Sequence, residues 1–446
     1  MFLFDFYYLI CKDKKYISYF WSDMEQLLHF LWKYRLHLPA NLTTTTGLSV
    51  EVIDAGCHNT DAGPDFFNAK IRIDGTIWAG NVEIHTRSSD WHKHGHHTDV
   101  VYDSVILNVV EVCDTDIFRT TGEPVLQLVL NCPDSVRAHY KHLSATTAEE
   151  IPCRNQLSSI DPFLISAWKS TLLTERLERK TDAIFLLSEQ NKQNWEEIFY
   201  VSLFRSMGLG INNDAFERLA RSLPLSYLLK HADSLLQIEA LLFGQAGLLD
   251  VSFPENAYLQ LLQREYNFLR NKFSLKPLSK DIWRFLRLRP ANFPHIRLAQ
   301  LAALYHKNPM LFSRVLKVES LLQFADLIAI EPGAYWLKHY DFETTSNTRS
   351  KRLGSTALQV LLINAVVPVM FAYGRSTSNE EICNRALSLL ENTKAEDNRI
   401  VREWSRAGIP VLSAYDSQAI LQLRNEYCEK KKCLYCRIGH RILSKK

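Results

Sequence analysis

Between residues 48 and 131 apolar and polar side chains alternate with a period of two, as strands do. Ser49–Ile53 is a short β-rich run, and Phe66–Ile73 alternates as far as the pair Asp74-Gly75. The alternation resumes over Thr76–Thr86, so the dipeptide predicts a tight hairpin turn. Val105–Val112 is almost wholly apolar, as a strand covered on both faces is, and Val125–Leu130 predicts one more strand. A polar, histidine-rich connection, Ser88–Asp103, joins the third of these strands to the fourth.

After about residue 160 the period changes to 3.6. Helix starts are predicted at Asp161-Pro162, with proline at the first helical position, and at Asn213-Asp214. Met24 opens an amphipathic helix carrying Leu27, Leu28, Leu31 and Trp32, which leaves residues 1–23 as an N-terminal extension. The pattern predicts an α+β chain, with an N-terminal mixed β-sheet module over 24–150 and a large all-helical region over 151–446. The apolar run 355–373 approaches bilayer length, but Gln359, Asn364 and Pro368 interrupt it, so it reads as a buried core helix.

Composition narrows this little: 46% hydrophobic and 23% charged residues describe a soluble globular chain and exclude a disordered or collagen-like one. The charge distribution says more. Residues 24–150 carry 9 Lys/Arg against 17 Asp/Glu, residues 151–446 carry 40 against 29, and ten of the 15 histidines lie in the acidic part. A cation site beside an anion-binding surface is the expectation. Six of the nine cysteines are widely scattered, unlike a secreted disulfide framework, and the apolar N-terminus lacks a basic n-region and a small-residue cleavage site. The chain is read as cytoplasmic, with no membrane partner.

The densest polar constellation runs from His58 to Asp65 and continues in Asn81-Val82-Glu83-Ile84-His85. On a strand Asn81, Glu83 and His85 share one face. Carboxylates that meet from adjacent strands repel unless a cation lies between them, and Mg²⁺ or Mn²⁺ between Asp65 and Glu83 would relieve that repulsion. His85 would then orient or deprotonate a bound water. Asp61, Asp99 and Tyr102 are expected in supporting positions around this centre. His92, His94, His96 and His97 would suit Zn²⁺, Mn²⁺ or Fe²⁺, although a solvated histidine-rich loop is the plainer reading. Adjacent His96 and His97 do not readily face one ion.

In this layout the sequence resembles the restriction-endonuclease-like PD-(D/E)xK superfamily: Pro64-Asp65 precedes one strand and Glu83-Ile84-His85 lies on the next. The resemblance implies that Asp65 and Glu83 ligate metal, with His85 where that superfamily places lysine. Most of the chain also resembles the bacterial domain of unknown function 2851 family, through DAGPDF at 61–66, WAGNVEIHTRSSDWHKH at 78–94, RPANFP at 289–294 and CLYCRIG at 433–439. That family brings no activity with it.

In the helical region Trp283-Arg284-Phe285-Leu286-Arg287-Leu288-Arg289 interleaves arginines with aromatics, and Arg297 follows. Guanidinium groups bind phosphate and rings stack on unpaired bases, which makes Arg284, Arg287, Arg289 and Arg297 the candidate nucleic-acid contacts; an amphipathic helix with Trp283 and Phe285 packed inward is the plainer reading. RPANFP reads as a turn that Asn292 caps. Cys428-x4-Cys433-x2-Cys436 has the spacing of a plant-type ferredoxin, and its C-x2-C also suits zinc. Cys153, Cys57 and His440 compete for the fourth position. Some restriction-endonuclease-like nucleases are thought to join one distant cysteine to a C-terminal trio on an iron–sulfur cluster, and that resemblance favours Cys153. The function predicted first is a metal-dependent nuclease or phosphodiesterase acting on DNA. The alternative is a non-enzymatic helical scaffold in which Asp61 and Asp65 are turn residues and Glu83 with His85 a surface pair.

Overall fold

The computed structural model describes residues 24–445 apart from 40, 60, 146–149, 191–193 and 287, so the extension expected over 1–23 and the candidate contact Arg287 lie outside the described residues. The fold is α+β. Its strands are β1 (Leu42–Thr43), β2 (Ser49–Asp54), β3 (Cys57–His58), β4 (Phe66–Ile73), β5 (Thr76–Arg87), β6 (Val105–Val112) and β7 (Gln127–Val129). They form one mixed sheet in the order β1-β2-β4-β5-β6-β7, with β3 paired to β4.

The β4–β5 hairpin is antiparallel and turns at Asp74 and Gly75, both at positive φ (46° and 80°), as a two-residue hairpin requires. β5 then runs parallel to β6, and β6 parallel to β7. A parallel neighbour needs a crossover, and Ser88–Asp103 supplies it. It consists of a one-turn helix, Asp90–Lys93, and two 3-10 turns, His96–Thr98 and Val100–Ser104. Trp91 of the one-turn helix is fully buried beside Val105, Ile117 and Val125. A helix over 24–33 (α1) buries Leu27, Leu28, Leu31 and Trp32, and the Trp32 indole N–H donates to the Ala55 carbonyl at 3.1 Å.

The chain divides into Met1–Ile165 with Asn425–Lys446, the sheet unit, and Ser166–Arg424, the helical unit. The sequence pattern groups 425–446 with the helices, because helical periodicity does not say which core a helix joins. In the structure the C-terminal helix Arg437–Leu443 packs on α1: the His440 ring stands edge-on to Phe30 and Tyr34, at centroid distances of 5.3 and 4.7 Å.

In the helical unit, Ser355–Ser376 is long and apolar enough to cross a membrane by length and composition, and 67% of its most apolar window is buried inside the protein. Leu361, Leu362, Val366, Val367 and Met370 are buried, as in a core helix. Pro368 cannot donate to the Asn364 carbonyl, and the helix widens into a π-turn over Leu362–Val366.

Candidate metal centre

Asp65 immediately precedes β4, and the antiparallel register pairs Phe66 with Val82, so Asp65 stands beside Glu83. The two acids are tied through the backbone. The Asp65 amide donates to Glu83 Oε2 at 3.0 Å, and the Ile84 amide donates to Asp65 Oδ2 at 2.9 Å. On the other side of β5, the parallel register sets Glu83 against Asn108 of β6. His85 Nδ1 lies 3.0 Å from Asn108 Oδ1, so with Nδ1 as donor the lone pair of Nε2 is left on the inner side of the ring. Glu83, His85 and Asn108 are all buried, which excludes the surface pair of the scaffold reading.

The histidine-rich connection closes over this strand. His85, His94 and His96 each offer a ring nitrogen, and the three nitrogens all lie within 4.8 Å of one another. Glu83 Oε1 sits 3.2 Å from His96 Nε2 and 3.8 Å from His85 Nε2. Both of these nitrogens are buried without a hydrogen bond of good geometry, an arrangement that a metal ion would satisfy. Gly95, at φ 79°, reverses the backbone between His94 and His96 and lets both rings point to the same place. Tyr102 stacks on His96 at 3.7 Å and holds it from behind. His97 pairs with His92 instead, edge to face at 4.8 Å.

Electrostatics fit a cation. Burial and the neighbouring Asp65 charge push Glu83 up to about 9, so without an ion the pair carries one negative charge. Asp65 keeps that charge: burial works against it, but the His29 hydrogen bond and the Ile84 amide hold its pKa below the usual value. Burial drives His85 down to about 4, and lowers His94 and His96 as well, so the three rings are neutral, the form that ligates metal. His85, His94, His96 and Glu83 Oε1 could therefore hold one divalent ion, with Asp65 alongside. Nitrogen donors suit Mn²⁺, Fe²⁺ or Zn²⁺ better than Mg²⁺.

Sequence reasoning missed two acid–base groups on α1. His29 Nε2 lies 3.3 Å from Asp65 Oδ2. Glu25, one turn earlier on the same helix face, is pushed up to about 7 by burial, with the Asp65 and Glu83 charges adding to the effect. Two polar residues spaced i, i+4 on the edge of a strongly apolar helix were the available signal. Asn108, alone among apolar neighbours in β6, was another.

The remaining expected residues fall elsewhere. Asp61 is exposed, its amide donating to Asn59 Oδ1 in a local turn. Asp99 caps the turn Val100–Ser104 by accepting from the Val101 amide at 3.0 Å. Arg284 and Arg289 are exposed on an irregular segment, not a helix. Trp283 and Phe285 turn inward, where they line a cavity of about 510 Å³ together with His295 and Phe342. Arg297 is a correction. It is buried, its guanidinium donating to Gln300 Oε1 and Asn292 Oδ1 at 2.8 and 2.6 Å, so it braces the helix Pro294–Lys307 and reaches no phosphate. Asn292 accordingly accepts from Arg297 and does not cap that helix.

Cys153, Cys428, Cys433 and Cys436 are all buried and all belong to the sheet unit. Cys57 is exposed on β3, and His440 is occupied by α1 and by Ser444 Oγ, 3.2 Å from its Nδ1. No curated protein and no solved structure matches the chain at a significant level. A family model described as a protein of unknown function, DUF2851, matches residues 25–399, and the chain belongs to that family.

Proposed function

We propose that the protein is a cytoplasmic metal-dependent phosphodiesterase of the nuclease class, acting on DNA, with its metal held in the sheet unit. The observation that carries the reading is the meeting of three neutral imidazoles with the buried carboxylate of Glu83, next to a second, ionised carboxylate at Asp65. Of the two ions expected from sequence, Mn²⁺ fits this donor set and Mg²⁺ does not. A bound ion of this type supplies a Lewis acid and an acidified water.

The chain's own residues then have separate tasks. Asn108 fixes the His85 ring so that Nε2 faces inward. Asp65, pinned by the Ile84 amide, holds a negative charge at the edge of the centre. Glu25, poised near neutrality and close to both acids, is the group suited to collect a proton from an attacking water. The phosphodiester class is supported by Pro64-Asp65 just before β4 and Glu83-x-His85 on the antiparallel neighbour β5, followed by a parallel strand, the layout of the restriction-endonuclease-like resemblance. The excess of Lys/Arg over residues 151–446 supports an anionic polymer.

The test is cleavage of plasmid and oligonucleotide DNA by purified protein with Mn²⁺, alongside calorimetric Mn²⁺ titration. Wild type is expected to bind and cleave, and Glu83→Gln to do neither. Mn²⁺ binding without cleavage of any DNA would end the nuclease reading, and equal Mn²⁺ binding by both proteins would end the metal assignment.

A further inference from the structure

Residues 151–446 are basic as a whole, yet the cavity of about 510 Å³ beside Trp283 has an acidic and aromatic lining. Its walls follow from close backbone contacts inside the helical unit. Gly247, at φ 72°, follows the helix Leu235–Gln245, and a Cβ there would collide with the Leu278 carbonyl oxygen. Only glycine lets these two segments touch. The Leu278 amide donates to the Gln245 carbonyl at 2.9 Å, and the Trp283 indole N–H to the Ala246 carbonyl at 2.8 Å, which turns that ring inward. Arg284, between Trp283 and Phe285 in the chain, is exposed, and its amide donates to Asn212 Oδ1 at 2.9 Å. Asn256 donates to the Phe342 carbonyl at 3.0 Å and so holds the loop that carries Asp341 and Glu343.

His295, the second residue of the helix Pro294–Lys307, sits among the cavity's rings. Its centroid is 5.7 Å from Phe285 and 5.4 Å from Phe342, and Phe243 stacks on it at 6.0 Å. The residue is 8% exposed, and its Nδ1 is buried with no hydrogen-bond partner among the described residues. Burial drives the ring down to about 4, so it is a neutral imidazole, and Asp341 is near enough to act on it electrostatically. Asp341 accepts from the Glu343 amide at 2.9 Å and the Thr344 hydroxyl at 3.1 Å, and Asp281 from the Ser279 hydroxyl at 2.9 Å. Among the described residues no ion pair neutralises Asp281, Asp341 or Glu343. Against these three carboxylates the lining has one cation, Lys280.

Each feature narrows the class of occupant. A net negative lining repels phosphate and carboxylate groups and attracts a cation. Aromatic faces attract that cation through their quadrupole and shelter an apolar body. The unpaired imidazole calls for a hydrogen-bond partner, which a protonated amine supplies through its N–H groups and a quaternary ammonium does not. Cavities of about 300–1,000 Å³ enclose ligands of this size. We infer that the cavity binds a protonated organic amine on an aromatic body, with its ammonium directed at Asp341 and His295 and its ring lying against Trp283, Phe285 and Phe342. The inference is independent of the phosphodiesterase reading, because it uses no residue of the metal centre.

The experiment is titration of the full-length protein with tryptamine and phenethylamine, alongside indole-3-propionate as the matched acid and deoxyadenosine as an uncharged base. An amine is expected to bind one to one, about 10-fold or more tightly than the acid and the nucleoside. Phe285→Ala should weaken amine binding about 10-fold, and Glu343→Gln, at an exposed position, about 3-fold. His295→Phe keeps a ring and removes both nitrogens. It should weaken amine binding about 10-fold with an equal or higher melting temperature, a combination that a purely structural histidine would not give. Glu83→Gln should bind the amine as wild type does, whatever it does to Mn²⁺. Should His295→Phe fail to fold, Phe285→Ala and Glu343→Gln decide the matter. No saturable binding of either amine up to about 10 mM, a preference for the acid or the nucleoside, or wild-type amine binding by folded variants at His295, Phe285 and Glu343 would overturn the inference.

Discussion

Glu83 in the sheet unit and Glu239 in the helical unit are both nearly inaccessible glutamates, and burial raises both. Their surroundings differ in kind. Glu239 accepts from the Trp336 indole N–H at 2.9 Å and from the Tyr258 hydroxyl, so each oxygen has a neutral donor. Glu83 has the Asp65 amide on one oxygen, and on the other two imidazole nitrogens that have no hydrogen-bond partner of their own. The Glu239 carboxylate and its two donors satisfy one another, as the Lys180 ammonium and the Asn364 side-chain oxygen do. Around Glu83, polarity is buried and left unsatisfied. That difference, more than burial or a shifted pKa, separates a ligand site from a structural network.

Removing each carboxylate should break the two regions in opposite ways. Glu83→Gln should weaken Mn²⁺ binding by more than about 100-fold, beyond the range typical for supporting residues, with the melting temperature of the metal-free protein unchanged or raised. Glu239→Ala should do the reverse. It strands the Trp336 and Tyr258 donors in the core and should cost about 2–4 kcal/mol in urea unfolding, while Mn²⁺ affinity stays at the wild-type value.

The same glutamate gives a pH signature. Glu239 titrates at about 7 in the folded protein against 4.5 ordinarily, so the folded state holds the proton longer. Stability should fall as pH rises from about 4.5 to about 7, by about 3 kcal/mol in all, and level off above that. Unfolding curves at pH 5 and pH 7.5 should show this in wild type and lose most of it in Glu239→Gln.

Smaller effects sharpen the contrast. Asn108→Leu keeps the volume but frees the His85 ring, and Mn²⁺ affinity should drop about 10–100-fold. Arg284→Ala with Arg289→Ala should leave metal binding intact and flatten the salt dependence of DNA binding. The log–log slope should fall by about 0.9 for each phosphate that these arginines neutralise. An unchanged slope would remove this segment from the DNA-binding surface.

The sheet was legible because its strands alternate, and a period of two fixes which side chains share a face. Asp65, Glu83 and His85 came with it. His94 and His96 were legible as candidate ligands but not as partners of His85 and Glu83, since their convergence depends on a left-handed glycine and on Trp91 and Tyr102 anchoring the loop, none of which has a period. Glu25 and His29 were hidden at the margin of an apolar helix whose packing partner is set only by the tertiary fold. The arginine segment misled for a related reason: Trp283 and Phe285 do pack inward, but from an irregular chain, and Arg297 reads as a surface charge until its two amide partners are seen in place.

The helical unit is an insert within the chain of the sheet unit, since Asn425–Lys446 returns to Met1–Ile165. A ribosome adding about 5–20 residues per second takes about 13–50 s to deliver the roughly 260 residues between them. Throughout that interval the nascent strands wait with Phe30 and Tyr34 uncovered, while the helical unit has everything it needs to fold first. Assembly of the sheet unit is thus ordered by translation: it cannot finish until residues 425–445 emerge, and a chain released early would expose the flank of α1 to chaperones and proteases.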